Sequence, residues 1–134
     1  MDIRYTEERD FTEKELKNLF LSVKWSSGEY PDRLLKAMQG FSTVYSAWRD
    51  EELVGMVCVM DDGVMTAYIH YLLVNPKYHN NEIGRTLIDM VKKKYSDYLR
   101  IALISYDDEV RFYKNCGFTR GKNCTPMFIT SLGT

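Results

Sequence analysis

The sequence predicts an α/β fold in a single domain, and three observations carry that reading. A β-branched and aromatic run over residues 68–74 is stopped by Asn75-Pro76, and a short polar loop follows. Ile83, Leu87 and Val91 then recur at four-residue spacing, with Ile88 and Tyr95 flanking the stripe, which is the pattern of an amphipathic helix. Upstream, the near-continuous apolar run 53–60 reads as a strand buried on both faces, as in the middle of a covered sheet.

Taken in order, residues 2–6 form a short first strand. Thr12 with Glu15 makes a capping box, and Phe11 with Leu16 a hydrophobic staple, so a helix starts there and buries Leu16, Leu19, Phe20 and Val23. A loop follows from Trp25. Pro31 suits the first position of a second helix, whose stripe is Leu34, Leu35, Met38 and Phe41. Residues 43–48, 53–60 and 64–74 read as three strands, the last two joined by the turn Asp61-Asp62-Gly63. After the helix that begins near Ile83, residues 99–105 form a fifth strand. Ser105 to Asp108 looks like a capping box for a helix closed by Gly117 in a left-handed conformation. Residues 118–119 and 127–132 are expected as two closing strands. This makes about six or seven strands and about four helices within 134 residues, with no repeat, low-complexity tract or linker.

Composition excludes several classes of function. At 45% hydrophobic and 28% charged residues, the chain is an ordinary globular domain. A formal charge of −1, with no basic stripe interleaved with aromatics, gives no case for nucleic acid. Lys92, Lys93 and Lys94 sit at a helix C-terminus, where cations favour the dipole, and read as a solvated helix end. No segment approaches the ~20 apolar residues of a membrane span, and no apolar leader opens the chain, so a cytoplasmic protein without a membrane role is expected. Cys58, Cys116 and Cys124 are odd in number and lack C-x-x-C spacing, which suits reduced thiols. Two histidines and scattered thiols supply no metal-ligand grouping.

The strand–loop–helix passage is the chemically informative one. A strand that empties into a helix N-terminus aims several unpaired backbone N–H groups at one point, and the helix dipole adds positive potential there. That is a ready site for phosphate. The stretch resembles the acetyl-CoA signature of the GNAT (GCN5-related) acetyltransferases. In that signature, strand, Pro and Gln/Arg-x-x-Gly-x-Gly/Ala lead into a helix, and the loop amides hold the CoA pyrophosphate. By position His79 stands where Gln or Arg is usual, Glu82 at the first glycine, and Gly84 at the second. Asn80 and Asn81 tolerate left-handed backbone better than most residues. A second segment, Val110 to Phe118, resembles the family's late helix-to-strand junction, Phe-Tyr-x-x-x-Gly-Phe, and the two lie in the family's order.

The resemblance covers nearly the whole chain. It implies a GNAT fold: a mixed central sheet flanked by helices and splayed at its fourth and fifth strands. It implies acetyl-CoA as cosubstrate, held by Leu72, Leu73, Val74, His79, Asn80, Asn81, Glu82, Ile83, Gly84 and Arg85, and no metal. Tyr113 falls where the family places a tyrosine beside the CoA sulfur, able to protonate the leaving thiolate. His70, on the same strand as Tyr68 and two residues away, is the candidate base: an unperturbed pKa of ~6.5 suits proton acceptance near neutrality. It also lies where the arylalkylamine acetyltransferases carry a histidine that relays a proton through water. Packing is the other reading of both residues. Trp25, Glu29, Tyr30 and Tyr68 are candidates for the acceptor pocket or for its lid and core.

The expected activity is N-acetyl transfer to a primary amine of a small molecule or peptide, by direct attack in a ternary complex. The alternative is a non-catalytic CoA-binding GNAT-fold sensor or interaction module, motivated by His79 and Glu82 at signature positions. A homodimer fits either reading.

Overall fold

A computed structural model describes residues 2–133, with the side chains of Asn80 and Asn81 left out. Five strands form one sheet in the order β1-β2-β3-β4-β5: β1 (Arg4–Thr6), β2 (Thr43–Arg49), β3 (Glu52–Asp61), β4 (Thr66–Val74) and β5 (Arg100–Leu103). The first four pair antiparallel in sequence order, and β5 joins β4 in parallel, so the sheet is mixed. Helices α1 (Glu13–Ser22), α2 (Pro31–Gly40), α3 (Ile83–Lys94) and α4 (Val110–Asn115) cover it.

The local signals act as their chemistry requires. Thr12 Oγ1 accepts from Glu15 N–H at 3.1 Å and Glu15 Oε1 accepts from Thr12 N–H at 2.8 Å, the reciprocal capping box of α1. Phe11 is buried and stacks on Trp48 at 6.2 Å. Pro31 opens α2. Gly117 closes α4 at φ +100°, with Gly117 N–H on Lys114 O and Phe118 N–H on Tyr113 O, both at 3.0 Å, which is a Schellman motif.

The sheet separates two cores. On one face α3 buries Ile83, Leu87, Ile88 and Val91 against Val57, Val59, Ala67 and Ile69. On the other, α1 and α2 bury Leu16, Leu19, Phe20 and Met38 against Met56, Cys58 and Leu73. β3 contributes to both, as its unbroken apolar run implies.

Several expectations are corrected. β4 begins at Thr66 rather than at residue 64, because Asp62 Oδ1 accepts from the N–H groups of Val64, Met65 and Thr66 and holds them in a loop. Those three bonds also lower the Asp62 pKa. Ser105 does not cap α4; its hydroxyl donates to Tyr106 O, and the turn Asp107–Glu109 is a 3₁₀ helix. The expected closing strands at residues 118–119 and 127–132 are not strands, so the sheet has five strands rather than six or seven among the described residues. A short strand gains its stability from a neighbouring ladder and a face to bury, and residues 119–133 have solvent around them instead.

One polar network ties the end of α3 to β2 and β3 on the same face of the sheet. Tyr95 Oη lies 2.6 Å from Thr43 Oγ1 and donates to Asp61 Oδ2 at 2.7 Å. Tyr95→Phe should cost about 1–3 kcal/mol in urea-unfolding experiments, because it leaves a buried Thr43 hydroxyl short of a partner. Wild-type stability in that variant would show that water replaces the phenol.

Candidate active site

The site begins where β4 and β5 part. β5 pairs with β4 only from Thr66 to Ile69, while β4 runs on to Val74. At the point of parting β4 also carries an extra residue. Cys58 faces Tyr71 and Val59 faces Ile69, so His70 has no partner on β3 and forms a bulge. The bulge shifts the alternation of side chains. Ala67 and Ile69 face α3 before it, and Leu72 and Val74 face α3 after it.

Backbone groups follow from the register. Asn75 N–H donates to Val54 O at 2.8 Å, and Leu73 lies opposite Met56. Antiparallel ladders alternate between residues that exchange both bonds and residues that exchange none. Leu73 therefore turns its N–H and C=O to β3, while Leu72 and Val74 turn theirs into the gap left by β5. Of the three residues expected to bind through their backbone, Leu72 has both groups available, Val74 has its N–H while its C=O is met by the His79 ring, and Leu73 lines the gap with neither.

The gap opens into a cleft of about 1020 Å³. Its walls include His70, Leu72, Val74, His79, Glu82, Gly84, Arg85 and Tyr113, together with Trp25. The parting of the strands thus brings together most of the residues singled out in the sequence. Ile83 does not line the cleft; its side chain is buried beneath α3. The side chains of Asn80 and Asn81 lie outside those described.

One end of the cleft is built from the turn into α3. Residues Pro76–Asn81 form a 3₁₀ helix that begins with Asn75 Oδ1 accepting from Lys77 N–H. Glu82 then takes a left-handed conformation at φ +56°, ψ +20°, so the position of the first signature glycine has the backbone a glycine favours. Its carbonyl accepts from Thr86 N–H and Thr86 Oγ1, and its side chain makes no capping bond. The first N–H groups of α3 have no intrahelical acceptor. Gly84 lets the turn lie close to α4: a Cβ there would stand 3.2 Å from Phe112 Cζ. His79 is turned back onto the strand, with Nε2 3.0 Å from Val74 O. In the tautomer that donates this bond, Nδ1 is left for any ligand contact.

At the other end, Tyr113 packs edge-on against Phe112 and Phe118 at 5.1 and 5.9 Å. Burial above all, and then the negative charge of Glu109, push its phenol pKa upward, so it holds its proton throughout the physiological range. His70 sits among rings: Tyr71 at 4.2 Å, Tyr68 at 5.9 Å and Phe41 at 6.0 Å. Desolvation lowers its pKa, so the imidazole is neutral at pH 7. Alternation along β4 puts Tyr68 and His70 on the face opposite Ala67 and Ile69, and the bulge brings the adjacent Tyr71 to that face as well.

The loop after α1 divides. Trp25 enters the cleft and contacts Tyr71 at 6.0 Å and Tyr106 at 6.3 Å. Glu29 and Tyr30 do not; both are exposed, and Tyr30 lies under the Arg33 guanidinium at 5.6 Å. Gly28 explains the division. It is buried so tightly on Leu21 that a Cβ would fall 2.8 Å from that side chain, and the turn behind it faces outward. Tyr68 backs His70 without lining the cleft.

Tyr106, Ile104 and Phe112 also line the cleft and were not singled out in the sequence. Phe112 had a signal, its place in the Phe-Tyr pair, whereas Tyr106 had none. A smaller polar hollow of about 280 Å³ lies elsewhere, beside Arg9 and Lys94. The Arg9 guanidinium there already donates to the carbonyls of Met38, Phe41 and Ser42.

With this geometry in hand, relatives place the chain. Residues 8–125 match the family described as acetyltransferase (GNAT) domain. The chain belongs to the GNAT family. GCN5-related N-acetyltransferase 3, chloroplastic, of Arabidopsis thaliana is 34% identical over 85 residues. That match takes in 60% of this chain and 36% of the plant protein, so the chain spans about a third of that relative's length. A GNAT family acetyltransferase from Streptococcus pneumoniae superposes with a TM-score of 0.79 at 21% identity, over 97% of this chain and 98% of that one. An aminoglycoside acetyltransferase from an uncultured soil sample, solved with sisomicin, gives 0.71 at 19% identity, over 96% and 95%. At these identities the two structures establish the shared fold. Acetyl-CoA is the cosubstrate of the GNAT family. Among the described residues no cluster of His, Cys, Asp and Glu is placed to hold a metal, and no helix is long and apolar enough to cross a membrane.

The left-handed backbone at Glu82 generates a prediction. Glu82→Gly should be more stable than Glu82→Ala by about 1 kcal/mol in urea unfolding, since only glycine occupies that region without a Cβ penalty. Equal stabilities would mean that the turn relaxes when the side chain is shortened.

Proposed function

We propose that the protein is an N-acetyltransferase that moves an acetyl group from acetyl-CoA to a primary amine of a small molecule or peptide, with both substrates bound together. The observation that carries this reading is the splayed cleft, which has an uncapped helix start at one end, His70 and Tyr113 on its walls, and between them the N–H and C=O of Leu72 and the N–H of Val74 turned away from β3.

The residues present fit acetyl-CoA. The opening N–H groups of α3, with Arg85, suit a pyrophosphate. The backbone of Leu72 and Val74 suits an amide-bearing arm laid along the strand. Acetyl-CoA supplies the activated thioester, and the protein has two tasks of its own. An alkyl ammonium of pKa ~10.4 is only about one part in a few thousand neutral at pH 7, a deficit of roughly 4–5 kcal/mol. A neutral His70, directly or through water, accepts that proton. The nitrogen then attacks the thioester carbon, the C–N bond forms and the C–S bond breaks. A backbone N–H of the splayed strand stabilises the charge that develops on the carbonyl oxygen. Tyr113, protonated at all relevant pH, gives its proton to the departing thiolate.

Aromatic rings dominate the acceptor side. Trp25 and Tyr106 line it, with Tyr71 packed against Trp25, and their rings offer an ammonium or an aromatic amine cation–π or stacking contact. A CoA-binding sensor is the second reading, favoured by Glu82 and by the engagement of His79 with Val74 O. Thermal unfolding with acetyl-CoA, against desulfo-CoA and ATP, tests cofactor binding. At about a hundred times its dissociation constant the ligand stabilises by roughly 2.7 kcal/mol, several degrees for this size. No shift would overturn both readings. A shift without thiol release across an amine panel would favour the sensor.

Two further outcomes are expected. Tyr113→Phe lowers turnover about tenfold or more while leaving CoA affinity nearly intact; unchanged turnover would reduce Tyr113 to packing. The acid limb of kcat/KM falls below the ordinary histidine value of ~6.5, because a lowered pKa keeps His70 in its basic form to lower pH. That limb moves or vanishes in His70→Gln; a limb that stays in place would assign it to another group.

A further inference from the structure

An uncommon residue closes α1. Trp25 N–H bonds to Phe20 O at 3.1 Å and Lys24 N–H to Leu21 O at 3.0 Å, the paired bonds of a Schellman motif. The position after the cap in that motif takes left-handed backbone and is usually glycine. Here it is Lys24, at φ +63°. A glycine would close the helix without a Cβ penalty, so this side chain is kept at some cost in stability. Residues held in sparsely populated backbone regions gather where a function needs their side chains.

The place of Lys24 supplies such a function. It lines the cleft beside Trp25, on the wall formed by the end of α1. Trp25 packs against Tyr71 and Tyr106, and Tyr71 against His70, so this wall belongs to the His70 side of the cleft. The Lys24 ammonium has no hydrogen-bond or ion-pair partner among the described residues. Ser22, Val23 and Trp25, which line the cleft from the same wall, carry no charge. The carboxylates of the cleft, Glu82, Asp108 and Glu109, come from the turns into α3 and α4.

We propose that the amine acceptor carries a carboxylate bound by Lys24, and that it is an amino acid whose apolar or aromatic side chain lies on Trp25 and Tyr106. The proposal rests on the acetyltransferase reading of the same cleft. An unpartnered ammonium among rings is a site for an anion, and its hydrogen bond to a carboxylate is charge-assisted. A single ammonium matches a singly charged carboxylate rather than a dianionic phosphate. The guanidinium that also lines the cleft, Arg85, stands on α3, away from this wall. Fixing the carboxylate also orients the amine next to it, which is the positioning that attack on a thioester requires.

Matched amines with and without the carboxylate test this: phenylalanine against 2-phenylethylamine, and leucine against 3-methylbutylamine. Thiol release gives kcat/KM for each, and titration with their N-acetyl derivatives, with and without CoA, reads binding in the absence of chemistry. The wild type should favour the carboxylate member of each pair about tenfold or more in both readouts. Lys24→Met should shrink that ratio towards one, and Lys24→Glu should invert it. Lys24→Gly should lose the preference while unfolding at a higher temperature than the wild type, a split that a purely structural lysine would not give. Equal use of both members by the wild type overturns the proposal and leaves acetyl transfer standing. A preference that survives in Lys24→Met assigns the carboxylate to another group and overturns it too. Selective binding of the N-acetyl amino acids that depends on Lys24, without thiol release, keeps the carboxylate site and overturns the transfer reading. Neither binding nor release with any member overturns the proposal.

Discussion

β4 answers to two neighbours that want different things. β3 pairs with it along its whole length, and β5 pairs with it only as far as Ile69. A strand freed on one side exposes backbone donors and acceptors, which a buried sheet cannot leave unmatched without large cost. Here the separation produces a cleft, and those groups face into it rather than into a dry core. The bulge at His70 coincides with the separation. It lets the strand keep its apolar residues on the α3 core while a polar ring emerges into the gap. Most other features of the site are arrangements around that parting.

The turn into α3 shows how a signature can change its residues and retain its geometry. Glu82 occupies the left-handed backbone that a glycine would take, and the carboxylate stays exposed at a helix start that favours negative charge. Its carbonyl, held by both groups of Thr86, fixes the first turn of the helix. His79 is similarly repurposed. Its ring ties the carbonyl of Val74, the last residue of β4, to the loop that follows. The loop is thereby shaped by side chains at positions where relatives of the motif rely on glycine and a long polar residue.

Much of this was legible in the sequence because the signals were local. The capping box at Thr12, Pro31 at a helix start and Gly117 at a helix end each act within a few residues and appear as expected. The strand–loop–helix passage was equally plain, since it rests on hydrophobic period and a proline. What escaped depended on distant partners. Residues 127–132 have strand-forming side chains, but a strand exists only where another backbone lies beside it. The bulge at His70 is a property of register between β3 and β4, which no single segment encodes. Tyr106 reaches the cleft only because β5 ends where it does, and Glu29 leaves it because Gly28 is pinned on Leu21.

The contact between Gly84 and Phe112 joins two regions that the chain separates widely. Phe112 presses on the bare α-carbon where α3 begins, and Tyr113 is the next residue along α4. From the far end of α3, Lys92 Nζ reaches Cys116 O at 2.8 Å and holds the close of the same short helix. Two clamps on one helical turn leave α4 little freedom to rotate or slide against α3. The distance between the start of α3 and the phenol of Tyr113 is therefore set like the jaws of a caliper. A ligand long enough to touch both is measured by the protein, and one of the wrong length cannot meet both ends.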